Sequence, residues 1–289
     1  MRNSPFLIYF QRIETGFTFL EILVSVLLFS MLLASSANMM FQSFESSLDS
    51  EVIIQTEERA RSALELLVFE LRMLGSGVAL GQKDFDISDD TLGDAPLPIF
   101  IDSSDDYLHF RINETGKDTY IVGDFIPTWS SRTFTVASSE DIFVGDIVYI
   151  SDRIAGGDDG LRGEVEAISG TNITLSNDFI SSPDASFPSG STVNRVSEVE
   201  YSSPANWGGI TRDNGLGALT LVPNSQFSVT YLKSDDTAIS LPLSESEITE
   251  DLTALDIQVQ VRSDRRLKDG TYYSATAQTR VTTRTLFFY

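Results

Sequence analysis

Hydrophobic positions follow three regimes along this chain. From Ile22 to Phe44 no residue carries a formal charge, and Ile22-Leu23-Val24-Ser25-Val26-Leu27-Leu28-Phe29-Ser30-Met31-Leu32-Leu33-Ala34 is dense in Leu, Val and Phe. About 20 such residues span a bilayer core as a helix, so this regime predicts a membrane segment. From Ile53 the apolar positions become periodic. Ile53, Thr56, Ala60, Ala63, Leu64, Leu67, Leu71 and Leu74 recur at three- and four-residue spacing, while Glu57, Glu58, Arg61, Glu65 and Arg72 fall mostly elsewhere. One face of that segment is predicted to lie under a folded domain. No proline interrupts Phe17 to Leu74, and Gly75-Ser76-Gly77 supplies a stop signal. The pattern predicts one helix over 17–74, about 87 Å long at about 1.5 Å per residue, with 17–41 in lipid or in a bundle of like helices.

The third regime is β-like. Runs rich in alternating or β-branched residues predict strands at 107–112, 132–136, 146–150, 172–175, 227–231 and 255–261, with a last strand over 271–288 that ends in Leu286-Phe287-Phe288-Tyr289. The fold class is therefore α+β, a long N-terminal helix packed on a mainly antiparallel β head over 75–289. Gly145-Asp146 before one strand and Gly170 at a turn fit hairpin chemistry. With Pro183, Pro188 and Gly190 as exit signals, they predict an inserted β subdomain over 128–198.

One residue breaks the first regime. Glu21 opens the apolar run, and a carboxylate within a membrane costs about 2.5 to 3.5 kcal/mol on insertion scales, so it calls for a partner. The natural partner is a cation in the same apolar layer. Cleavage between Gly16 and Phe17 would create one, the α-amino group of Phe17, four residues before Glu21. That amine could approach Glu21 within its own helix, or the Glu21 of a neighbour in a staggered stack of helices.

Thr15-Gly16-Phe17-Thr18-Phe19-Leu20-Glu21 followed by an unbroken apolar run resembles the class III signal of type IV prepilins and pseudopilins. The resemblance implies that a membrane-embedded prepilin peptidase cuts after Gly16 and N-methylates Phe17, and that Glu21 serves processing and assembly. It also implies that residues 1–16 are a leader left in the cytoplasm, which agrees with Arg2 and Arg12 under the positive-inside rule. A secretory signal has the opposite order, with its apolar region before the cleavage site. Residues 59–75 are similar to the helix end of PilW-like minor pilins and of the J-type pseudopilins of type II secretion. Pilins of the major type commonly carry a proline in the apolar half of the helix, and this chain has none there.

Charge and composition narrow the alternatives. Lys plus Arg number 20 against 42 Asp plus Glu, a formal net charge of −22, which disfavours nucleic acid as a partner. There is no cysteine, so neither a disulfide nor thiol catalysis is available. His109 is the only histidine and falls in a predicted strand, leaving a Ser-His-Asp triad or a histidine-based zinc site to one position. No Walker-type phosphate loop is present. Acidic loops at Asp84/Asp86/Asp89/Asp90, Asp102/Asp105/Asp106 and Asp152/Asp158/Asp159 invite a structural calcium reading. None follows the spacing of a helix-flanked calcium loop, and turn-forming Asx residues are the preferred explanation, with no cofactor expected. Trp129 and Trp207 are expected to be buried in the head.

The expectation from these observations is a non-enzymatic structural subunit, a minor pilin that helps to initiate fibre assembly near the tip. Its expected partners are the prepilin peptidase, other minor pilins, the major pilin and the inner-membrane assembly platform. Its expected location is the bacterial inner membrane as a single-pass protein with a periplasmic head, and then the fibre. The alternatives are a J-type pseudopilin of a type II secretion system and, in another class, a membrane-anchored periplasmic binding or enzymatic β-domain.

Overall fold

The structure, a computed structural model, describes residues 18–78, 97–152, 159–181 and 184–282. Helix α1 covers Phe19–Leu71. The chain divides into two units at Glu51/Val52, within this helix. In the first unit every described side chain except Asp49 is exposed. Phe19, Leu20, Leu32 and Phe41 are each about 70–80% exposed, and the segment is apolar around its whole circumference. It is the one helix among the described residues long and apolar enough to cross a membrane.

In the second unit α1 behaves as its periodicity predicts. Thr56, Ala60, Ala63, Leu64, Leu67 and Leu71 are buried against the head, and Ile53 is half-buried. The helix ends at Leu71, three residues before the predicted limit, because Leu74 leaves it to form a β-bridge with Ile112. The amide of Gly75 then donates to the carbonyl of Arg111 at 2.8 Å. Gly77, at φ +79°, passes so close to Asn194 and Asn113 that a Cβ there would meet theirs at 3.0 and 3.1 Å.

Among the described residues the head contains thirteen strands: β1 (Tyr107–Ile112), β2 (Asp118–Tyr120), β3 (Thr133–Thr135), β4 (Ile147–Ser151), β5 (Gly160–Ser169), β6 (Asn172–Leu175), β7 (Ile180–Ser181), β8 (Thr192–Ser202), β9 (Ile210–Asp213), β10 (Leu219–Val222), β11 (Ser225–Leu232), β12 (Ala254–Arg266) and β13 (Tyr272–Thr282). Strands β11-β12-β13 form an antiparallel three-stranded sheet, and the other ten form a second, branched sheet. The end of the expected 271–288 strand and its apolar terminus lie outside the described residues.

Strand β8 was absent from the predicted set, yet it organises the larger sheet. Along one edge it pairs with β2 through 192–194 and with β1 through 197–202; along the other it pairs with β4 through 192–196 and with β9 through 200–202. Its buried apolar residues are Val193, Val196, Val199 and Tyr201. Val193, Val199 and Tyr201 share one face by parity, whereas Val196 faces the other way, onto Tyr149. Both faces are covered in the middle, so the two-residue alternation that signals a strand is broken.

Two main cores result. One joins α1 to β1, β8, β9 and the three-stranded sheet; the other runs from Ile121 to Val193 around Phe125, Phe134, Val148, Leu161 and Phe187. The insert expected over 128–198 thus maps onto a core that begins upstream, at Ile121. β8 carries the backbone from this core into the other without a joint. Trp129 is a correction to the sequence reading: it is 76% exposed and rests against Phe179, because it sits in the tight Thr128–Ser131 turn rather than on a core-facing strand position. Trp207, at φ +63°, is half-buried in a turn.

Polar ties fix the packed part of the helix. Glu70 of α1 accepts from Arg212 Nε at 3.0 and 3.1 Å and from the Tyr201 hydroxyl at 2.9 Å, while Arg212 also pairs with Glu114. Two further ties are Tyr273 Oη to Glu57 at 3.1 Å and Arg59 to Asp264 at 2.8 Å. Arg111, fully buried, lies 4.0 Å above the Phe100 ring and donates to Glu198 and to the Leu97 carbonyl. Charges removed from water are tolerated when each polar atom finds a partner, and removal of one partner leaves the other stranded.

Replacement of Arg212 by Met is therefore expected to lower stability by about 3 kcal/mol, read by chemical denaturation, because Glu70 would remain largely buried without its cation. A second expectation concerns alkaline pH. Tyr149, Tyr201 and Tyr231 are almost wholly buried, and burial is the first cause raising the pKa of each above the usual tyrosine value. Below about pH 10 these tyrosines are neutral in both folded and unfolded chains and favour neither. Above it the unfolded chain loses protons that the folded chain retains, so stability falls by up to about 1.4 kcal/mol per pH unit for each group. Tyrosinate absorbance should show these residues ionising together with unfolding.

Candidate functional site at the helix start

The candidate site is where the charge-free run begins. Gly16 and Phe17, the expected cleavage and methylation positions, lie outside the described residues; Glu21 lies within them, exposed, in the first turn of α1. Its carboxylate is engaged locally. Oε2 accepts from the backbone N–H and from the hydroxyl of Thr18, both at 3.0 Å, and the Glu21 N–H donates to Thr18 Oγ1 at 3.3 Å. This reciprocal arrangement is a capping box, in which a Thr at the N-cap and a Glu three residues on satisfy each other's backbone donors. The negative charge also sits at the positive end of the helix dipole.

The Thr18-Phe19-Leu20-Glu21 spacing is the sequence signature of this cap, and it sits on the same residue as the isolated charge. The cap gives the carboxylate a neutral polar partner without any second chain. It leaves Oε1 without a hydrogen bond among the described residues, so one oxygen remains open to a cation. Ser30, further along the run, returns its hydroxyl to the Leu27 carbonyl at 2.8 Å, which satisfies its donor within the helix.

The other candidate residues resolve into turns and packing. The Asp84–Asp90 loop and Asp158 lie outside the described residues. Asp102 faces His109 Nδ1 at 3.3 Å, and Asp106 accepts from Ser104. Asp152 accepts from the Asp159 amide at 2.9 Å, and Asp159 in turn accepts from the Ser186 amide at 2.9 Å. Asp213, Asp235 and Asp269 likewise accept amides two residues ahead, the usual Asx-turn contact. Among the described residues no group of three or more His, Asp or Glu side chains is placed to hold a metal ion. His109 stands in β1, its ring stacked on Phe100 at 3.6 Å with Nε2 3.9 Å from Glu200. No arrangement of nucleophile, base and orienting group surrounds it among the described residues.

No protein-family model, curated protein or solved structure matches this chain. The functional reading thus rests on the chemistry of the helix start and on the exposed apolar surface that follows it.

The capping box makes a local prediction. Glu21→Ala should speed amide hydrogen exchange in the first turn of α1 by about 2- to 30-fold, the equivalent of a lost cap worth about 0.5–2 kcal/mol. Glu21→Gln should leave that exchange nearly unchanged, since glutamine also closes a capping box.

Proposed function

We propose that this chain is a structural subunit of a type IV pilus-like fibre, a minor pilin cut after Gly16 by a prepilin peptidase and methylated on Phe17. The observation that carries this reading is a helix segment apolar on every side, led by a single carboxylate and preceded by Gly16-Phe17. In a membrane such a segment is stable alone; in a fibre its surface is covered by like helices. Transfer from one environment to the other exchanges lipid contact for helix contact, with little electrostatic cost because Glu21 and the amine of a processed Phe17 are the only charges between Phe17 and Phe44 and can pair.

Glu21 would act at that transfer. Its Oε2 holds the cap on Thr18, while Oε1 receives the amine of a processed Phe17 from a neighbouring subunit. An ion pair in an apolar layer is far stronger than one in water, and a mispositioned subunit would strand both charges. The pair would therefore set axial register as well as affinity. Partners on this reading are other minor pilins, the major pilin, the peptidase and the inner-membrane assembly platform, with the head in the periplasm before assembly. The same helix chemistry would serve a J-type pseudopilin. Loss of surface fibres on deletion supports the pilus, whereas exoproteins retained in the periplasm support secretion.

Two outcomes are expected. The intact mass and N-terminal sequence of membrane-extracted protein should show a methylated Phe17 start that depends on active prepilin peptidase; a Met1 start with active peptidase present would remove the basis of the proposal. Glu21→Gln should keep its cap yet fail to enter fibres, as read by immunoblot of sheared surface material. Normal incorporation of this variant would show that the charge has no part in assembly.

A further inference from the structure

The solvent face of the three-stranded sheet gathers glutamines that the rest of the described head lacks. Register places Gln226, Gln260 and Thr276 in one row across β11-β12-β13, Ser228, Gln258 and Gln278 in the next, and Thr230, Asp256 and Arg280 in a third. All nine are exposed or half-buried, while the alternating positions Phe227, Val229, Ile257 and Val259 point into the core. Four of the eight glutamines in the chain stand on this face. Its one carboxylate in these rows, Asp256, is held by Arg280 through two bonds, Nε to Oδ1 at 2.8 Å and a second nitrogen to Oδ2 at 3.1 Å.

An antiparallel sheet with one wet face needs only polar side chains there, and solvation alone would explain any polar set. The larger sheet of the same head meets that need with charge at Glu164 and Glu166 on β5 and Glu200 on β8, and with hydroxyls at Thr133 and Thr174 on β3 and β6. In a chain with 42 acidic residues, a wet face with four glutamines and one carboxylate in its three rows is a departure that solvation does not require. The face is also shaped. A cleft of about 420 Å³ lies over it, lined by Ser228, Thr230, Asp256, Gln258, Gln278 and Arg280, within the size range of small-ligand sites. Beyond the Gln226-Gln260-Thr276 row, outside the cleft, Arg262 lies 3.9 Å above the Tyr272 ring and 5.9 Å from the Trp207 ring.

Each glutamine amide offers two donors and an acceptor, and each hydroxyl offers both, so the rows can match a ligand whose groups are themselves donor and acceptor at once. Adjacent hydroxyls on a sugar have that character. A second copy of the chain would bring another net −22 to the contact, and a nucleic acid would bring phosphates; a neutral polyol brings neither penalty. We propose that the solvent face of β11-β12-β13 is a binding site for a neutral carbohydrate chain, with Gln258 and Gln278 as its central hydrogen-bonding pair. This assignment is independent of the role given to Glu21.

The test uses the full-length protein in phosphatidylcholine nanodiscs, avoiding detergents with sugar headgroups that would compete. Cellohexaose, maltohexaose, mannohexaose and chitohexaose are titrated by calorimetry. At least one should bind saturably, with an affinity weakened about tenfold or more in the Gln258→Ala/Gln278→Ala variant. Binding should change less than about twofold when salt is raised tenfold, since a neutral ligand has no charge to screen. Thermal unfolding of the double variant should match the parent; if it does not, Ser228→Ala and Gln278→Ala are read singly. The proposal is overturned if none of the four sugars saturates at millimolar concentration, or if binding survives the substitutions. It is equally overturned if the parent self-associates without sugar and the double variant does not, which would give the face to a second copy.

Discussion

Strand β8 is the constraint on which the head depends. Eleven residues carry hydrogen bonds to four other strands, two along each edge, and pass from one hydrophobic core into the next. Because Val193 belongs to one core and Val199 with Tyr201 to the other, the register of β8 sets both at once. A slip of one residue would turn each of these side chains to the opposite face. Arg111 and Glu198 add a check on that register, since the buried guanidinium is satisfied only when β1 and β8 are aligned as observed. The helix is secured to the same strand through Tyr201 and Glu70, so packing of α1 and closure of the second core are linked through one element.

Much of this was legible in the sequence where one physical requirement acted alone. The bounds of strands β1 and β6 match the expected ones because apolar and polar residues alternate along both sequences, and the covered face of α1 follows from a 3.6-residue period. β8 failed for the opposite reason: covered on both faces at Val196, its apolar spacing is three, three and two, which fits neither template. The short strands β2, β7, β9 and β10 carry too few residues for a pattern to emerge and are held by their neighbours. Trp129 was misplaced because tryptophan's general preference for burial says nothing about a turn that turns it outward.

The candidate site was legible in composition but not in geometry. Glu21 stood out as an isolated charge in an apolar run, and the physical expectation was a cation. The structure supplies a nearer partner, the N-cap Thr18, from three residues upstream. These readings are compatible because a carboxylate has two oxygens and a capping box uses one of them. The cap also orients the carboxylate along the helix start, so any cation that reaches Oε1 meets a fixed acceptor rather than a mobile side chain, which lowers the entropy lost on pairing.

On the proposed reading, charge distribution decides where copies of this chain could touch. Most of the chain's net charge of −22 belongs to the head, so heads that approach within a Debye length, about 8 Å at physiological salt, repel one another unless specific pairs intervene. Residues 22–44 carry no charge at all, so helix contacts escape that repulsion while offering close packing along more than twenty residues. Attraction is therefore concentrated in the helix and repulsion in the head. On that reading, a subunit built this way would be held to its neighbours by its apolar segment, and its head surfaces would stay available to other ligands. The amide-rich face of β11-β12-β13 is such a surface, nearly free of net charge and outside the contacts that hold the helix to the head.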